Sequence, residues 1–171
     1  MVKDIIGFYE GTHNNQEGYS IDDIKEFTDE ELEKVHTYIQ WIFPLPEKSK
    51  AVPGSPVLRQ SDIDEFNNRS DLQKKMKTMF YIMLDFYGLN VFDNKVRTSF
   101  ENWHHKYPMW LTSRNHNFLR LSRMIRSMKL LGLKNDAQML YDFLCILYEN
   151  NENIIGPVTK QFWDEAITKD F

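Results

Sequence analysis

The stretch that most constrains this chain is Ser113 to Gly132, reading S-R-N-H-N-F-L-R-L-S-R-M-I-R-S-M-K-L-L-G. Thr112 or Ser113 is placed to cap its start and Gly132 to end it in a left-handed turn, so the spacing predicts one helix of about five turns. Phe118, Leu121, Ile125 and Met128 share a face, with Met124 and Leu131 on its flank. Leu119 and Leu130 point the opposite way. A helix apolar on two sides is packed on two sides, which makes this the buried central helix, near 113–131, of a helical domain. Arg114, Arg120, Arg123 and Arg126 occupy what is left, and no acidic residue stands between Arg114 and Asn135.

The charge of that stretch sets it apart from the rest. Arg114 to Lys134 carries +6 while the whole chain carries −4, so the remainder sums to −10. An acidic balance of this kind excludes a binder of nucleic acid over its whole surface. At 171 residues, with 42% hydrophobic and 14% aromatic content, the chain suits one folded domain rather than a disordered tail. A lone Cys145 excludes an internal disulfide and a cysteine-built zinc site and fits a reducing compartment. No leader-like segment opens the chain and no apolar run approaches 18 residues, so no membrane insertion is expected and the protein reads as soluble, intracellular and cytoplasmic.

The other segments read as helices too. Ile5, Ile6, Phe8 and Tyr9 make a short one that stops near Gly11, and Ser20 opens a second with Asp22 and Asp23 at its positive end. Thr28 and Glu31 form a capping box whose helix is expected to run to Phe43, before Pro44, with His36, Gln40 and Phe43 beside its apolar stripe. Four of the six prolines fall in Pro44 to Gln60, a surface connection within one domain. Ser61 is expected to cap a turn through Phe66, and Ser70 with Gln73 to box a helix closed by Gly88. Ser99 to Lys106 reads as helical until Pro108, with Phe100 and Trp103 inward. Asn135 and Gln138 begin a further helix, and the last follows Pro157 with Phe162, Trp163, Ala166 and Ile167. No strand-period segment exceeds a few residues. The fold class is therefore all-α: a single compact domain over 1–171, of about six to eight helices.

Three blocks carry a resemblance. They are H-T-Y-I-Q-W-I-F-P-L (His36 to Leu45), M-L-D-F-Y-G (Met83 to Gly88) and N-H-N-F-L-R-L-S-R-M-I-R-S-M-K-L-L-G-L (Asn115 to Leu133). Together with the opening F-Y-E-G and G-Y-S-I-D-D-I, they resemble the conserved region of the opioid growth factor receptor family over 5–148. The helix of 157–171 stands outside that pattern. The resemblance implies a receptor-like domain. Vertebrate members are nuclear or perinuclear proteins that bind methionine enkephalin and restrain proliferation, with long acidic, repetitive tails that this chain lacks. A stand-alone domain rich in Asn, Lys and Ile is similar to a microbial or viral member.

The residues themselves point to a binding face. His36 and Gln40, one turn apart on the expected helix, would line a ligand pocket, and the alternative is a hydrogen-bonded histidine at a core edge. Arg120 and Arg123 suit a bidentate clamp on phosphate or carboxylate, or are half-buried struts satisfying neighbours such as Asp85. With Asn117 they complete a candidate ligand-binding set of His36, Gln40, Asn117, Arg120 and Arg123. The leading function is a helical binding module for a peptide, a partner protein or a small anionic ligand. An enzyme using the same face, with His36 or His116 as acid/base, is the alternative, although no matched nucleophile or metal set accompanies it. A third reading is weak nucleic-acid binding through Arg114, Arg123, Arg126 and Lys129, should they face solvent. Glu101 and His104 have E-x-x-H spacing but lack the further carboxylates a metal site needs, and Cys145 reads as an inert core thiol. No catalytic residue, metal or cofactor is implied, and no phosphate-loop, dinucleotide, zincin or nucleophile-elbow motif occurs.

Overall fold

Capping chemistry sets the start of the chain in the computed structural model, which describes residues 4–171. Asp4 accepts from the Gly7 amide at 2.8 Å and opens helix α1, Ile5–Glu10. Ser20 and Asp23 form a reciprocal box at α2, Ile21–Lys25, and Thr28 and Glu31 do the same at α3, Asp29–Lys34. The expected single helix from Thr28 to Phe43 does not form. Val35 turns extended at φ −78° and ψ 123°, and the chain re-enters a helix only at α4, Ile39–Ile42. The cause lies just past the helix: the buried Tyr38 hydroxyl donates to the Leu32 carbonyl at 2.7 Å, satisfying the end of α3 from outside the helix. Val35 and Thr37, β-branched and stiff, also weaken helix at this point.

α5, Gln60–Asn68, begins two residues earlier than a Ser61 cap would set it, where Asp62 Oδ2 accepts from the Arg59 amide at 2.9 Å. α6 spans Ser70–Tyr87 and closes at Gly88, φ 77°. Two compact units share this helix, divided between Met79 and Phe80. In the first, Met1–Met79, aromatic rings form the core: Tyr9 meets Phe66 edge-on at 4.9 Å, Phe8 lies 5.2 Å from Trp41, and the Tyr9 hydroxyl donates to the Ile42 carbonyl at 2.5 Å. Arg69 binds Glu10, Glu65 and Asp71 at once, and these carboxylates hold its guanidinium above its usual pKa.

The second unit, Phe80–Phe171, opens on a hairpin that the sequence reading left out. β1, Leu89–Phe92, pairs antiparallel with β2, Lys95–Thr98, in the register Leu89↔Thr98 to Phe92↔Lys95. Asp93 and Asn94, both at φ 53°, make the two-residue turn, the geometry whose twist matches that of paired strands. Val96 and Leu89 are buried beneath it. Phe100, expected inward, is 96% exposed because it sits in the turn before α7, Trp103–Trp110, and not on a helical face. Pro108 lies within α7 rather than ending it.

α8, Asn117–Leu130, is the expected central helix, shortened at its start. Neither Thr112 nor Ser113 caps it. Arg114 enters the left-handed region at φ 59°, and Asn115 Oδ1 accepts from the Asn117 amide at 2.9 Å. Phe118, Leu121, Met124, Ile125, Met128 and Leu131 are all buried, as their spacing requires. Leu119 is instead 60% exposed, so its side of α8 faces out. α9, Lys134–Asn150, packs on α8 and on β2, and after α10, Glu152–Ile155, the last helix α11, Pro157–Thr168, packs on both α8 and α9. The buried indole of Trp163 donates to the Phe118 carbonyl at 3.0 Å and pins α11 to α8. Among the described residues there are eleven helices and one two-stranded sheet, so the fold class is all-α with a single hairpin.

Candidate functional site

The candidate residues fall in two groups, one in each unit. In the first unit His36 is exposed in the bend before α4, while Gln40 is buried within it at 6% exposure. They are not one helical turn apart, since the break at Val35 removes the helix that would have aligned them. What surrounds Gln40 is more informative than its spacing. Its Oε1 has no hydrogen-bond partner, and neither does the Thr37 hydroxyl or Nδ2 of Asn15. Asn15 is 5% exposed, with its Oδ1 taken by the amides of Glu17 and Tyr19. The bond from the Trp41 indole to Gln16 ties the loop of Asn15 to α4. An acceptor, a donor and a hydroxyl thus stand unsatisfied on adjoining segments. Buried polar groups are almost always paired, so each of the three is an exception to that rule. Nothing in the spacing of Asn15 or Thr37 singles them out in the sequence.

In the second unit α8 presents Asn117, Arg120 and Arg123 from its first two turns. Asn117 is fully buried: its Oδ1 accepts from the Tyr87 hydroxyl at 3.1 Å, and its Nδ2 donates to Asn115 Oδ1 at 3.0 Å. Arg120 is 6% exposed and Arg123 half-buried, and both are engaged by other groups of the protein. Farther along, Arg126 is also buried, at 7% exposure, which interrupts the exposed basic stripe that nucleic-acid binding would need. Asp85, offered as a strut for these arginines, is bound by Lys106 Nζ at 3.1 Å.

A third group went unnoticed in the sequence. The Tyr141 hydroxyl on α9 donates to Asp164 Oδ1 on α11 at 2.6 Å, and Lys160 binds the same oxygen while lying 5.5 Å and 5.9 Å from the rings of Tyr141 and Tyr148. Burial and the Asp164 carboxylate hold the Tyr141 phenol well above its usual pKa. Lys160 and Asp164 are i,i+4 on one helix, a spacing that was legible, but the tyrosines come from another helix. Glu101 precedes α7 and His104 lies on it, and among the described residues no three His, Cys, Asp or Glu side chains are grouped to hold a metal ion. No helix among the described residues is long and apolar enough to cross a membrane.

The opioid growth factor receptor (OGFr) conserved region matches residues 4–161, past Tyr148 and into α11. The chain is 31% identical over 118 residues to mouse opioid growth factor receptor-like protein 1, covering 67% of this chain and 25% of that protein. It is 34% identical over 106 residues to the same-named Xenopus tropicalis protein, covering 62% and 20%, and 32% identical over 114 residues to human opioid growth factor receptor, covering 66% and 16%. The chain thus spans a quarter or less of the length of these relatives. No solved structure matches it. With nearly its whole length inside the match, the chain belongs to the opioid growth factor receptor conserved-region family.

Proposed function

We propose that this chain is a helical binding module for a peptide, a partner protein or a small anionic ligand, with Gln40 and His36 as the candidate residues of one unit and, taken separately, Asn117, Arg120 and Arg123 as those of the other. The observation that carries the reading is the unsatisfied trio of Gln40 Oε1, Thr37 Oγ1 and Asn15 Nδ2. A donor, an acceptor and a hydroxyl complement an amide or a carboxylic group, which is the chemistry of a peptide. Leaving three such atoms buried and unpaired costs stability, on the order of 1–3 kcal/mol each, and a binding site is where a fold keeps that cost. The relatives are named as a receptor and a receptor-like protein, which accords with a ligand-binding role for the region they share with this chain.

Gln40→Met separates binding from packing. Methionine has similar bulk and no acceptor, so the unliganded variant should melt at or above the wild-type temperature. The wild type should be stabilised by a ligand found in a panel of short peptides, nucleotides and phosphates, by about 2.7 kcal/mol at a hundredfold excess over its dissociation constant. The variant should lose that shift. A variant that responds to the ligand as the wild type does, or a wild type that responds to nothing in the panel, counts against the reading.

A further inference from the structure

The chain ends its last helix at Thr168, and the residues that follow lie across the basic half of α8. Lys169 turns extended at φ −74° and ψ 125°. Lys129 Nζ donates to Asp170 Oδ1 at 3.2 Å and to the Lys169 carbonyl at 3.5 Å, and Arg126 Nη2 donates to the Asp170 carbonyl at 3.4 Å. Arg123, Arg126 and Lys129 follow one another three positions apart along α8, so they form a ridge on one side of it. No carboxylate on α8 itself competes for them.

We propose that Arg126 and Lys129 form a recognition site for an extended acidic peptide, and that the Lys169–Asp170 segment occupies it as a displaceable strap. The occupant defines the ligand: two consecutive main-chain carbonyls and one aspartate are read by two cations, which is how an extended acidic segment is held. It also shows the strap to be weakly seated. The bonds from Lys129 and Arg126 to Lys169 and Asp170 given above lie between 3.2 and 3.5 Å, and the Asp170 side chain is 91% exposed. The cations are better buried than their partner, with the Lys129 side chain 19% exposed and Arg126 at 7%. A buried Arg126 and a half-buried Lys129 beneath an exposed carboxylate are what a site looks like when its filling can be exchanged. A peptide is favoured over nucleic acid because main-chain carbonyl oxygens make two of the three contacts described here. A tethered competitor at millimolar effective concentration lowers the apparent affinity for a partner by the fraction of time the site is covered.

This inference does not rest on Gln40 or Arg120, and its variants leave both untouched, so the two readings fail separately. The probe is a fluorescein-labelled peptide alternating Asp and Ser, titrated into the full chain at low salt and read by anisotropy. Asp170→Asn should tighten binding about three- to tenfold by weakening the strap. Lys129→Gln added to that variant should bring affinity below that of the wild type. In the wild type, the same titration should shift the backbone amide resonances of Lys169, Asp170 and Phe171 as the strap is displaced, a readout that no misfolded variant can mimic. Unchanged or weaker binding by Asp170→Asn, binding that survives Lys129→Gln, or amides of the strap that do not move would each overturn the proposal. So would tighter binding of a single-stranded oligonucleotide of equal charge, or no peptide binding by either protein.

Discussion

The Tyr87 hydroxyl, at the end of α6, donates a buried hydrogen bond to Oδ1 of Asn117 at the start of α8, 3.1 Å away and 30 positions later in the chain. Tyr87 also supplies its carbonyl to the Trp110 indole at 3.0 Å, so one residue anchors the end of α7 and the start of α8. Tyr87→Phe keeps the ring and deletes the hydroxyl that donates to the buried Oδ1 of Asn117. The expected loss is about 1–3 kcal/mol, a fall in melting temperature of roughly 2–12 °C. Tyr87→Phe with Asn117→Leu should recover part of it, and a double variant no better than the single would show that the bond is not the cause.

Arg120 and Arg123 should behave differently although they sit three residues apart. A guanidinium as buried as that of Arg120 persists only when paired, so Arg120→Gln should cost on the order of 3–5 kcal/mol. The half-buried Arg123 should tolerate Gln with a loss of about 1 kcal/mol or less. Melting curves of the two variants test this, and equal losses would mean that burial does not rank them.

The Lys160–Asp164–Tyr141 cluster gives stability a definite pH dependence. Burial raises the Asp164 pKa, but the bonds from Lys160 and Tyr141 outweigh it and hold the carboxyl below the usual aspartate range. A group whose pKa is depressed on folding stabilises the protein above its unfolded value and loses that contribution as pH falls through its folded one. The advantage of wild type over Asp164→Asn should therefore be constant above about pH 5 and shrink below about pH 4. Urea titrations of both proteins across that range decide it, and an advantage that grows with acidity would reverse the assigned sign.

Gly88 joins α6 to the hairpin at φ 77°, and a Cβ there would stand 3.1 Å from both the Trp103 Cα and the Lys106 Cβ. Gly88→Ala is strained twice, by its backbone and by α7, so a loss of about 1–3 kcal/mol is expected. Gly11 has a similar φ of 87° with nothing near its missing Cβ, and Gly11→Ala should cost less than Gly88→Ala. A reversed order in thermal melts would rule out crowding by α7 as the added cause.

Much of the fold was legible because it rests on short-range rules. The boxes at Ser20 and Thr28, the closure of α6 at Gly88 and the buried face of α8 each involve residues within a turn or two of one another. The hairpin was legible in principle: L-N-V-F-D-N-K-V-R-T places an Asp-Asn turn between two short alternating runs. It was passed over because four-residue strands are too short for periodicity to declare. The candidate set was less accessible. Gln40 and Arg120 were named from residue type and position, but the unsatisfied atoms of Asn15 and Thr37 have no local signature at all.

By itself, then, the sequence determined the helical class, some helix limits and the family, since periodicity, capping and motif order are properties of neighbouring residues. Only the tertiary structure decided that the helix after Thr28 breaks at Val35, that Phe100 faces water, and that Asp170 lies on Lys129 from 41 positions away. Each of those outcomes depends on which distant group satisfies a carbonyl, covers a ring or meets a charge. Such pairings form only when the chain is packed, whether the partners stand six positions apart, as Leu32 and Tyr38 do, or 41, as Lys129 and Asp170 do.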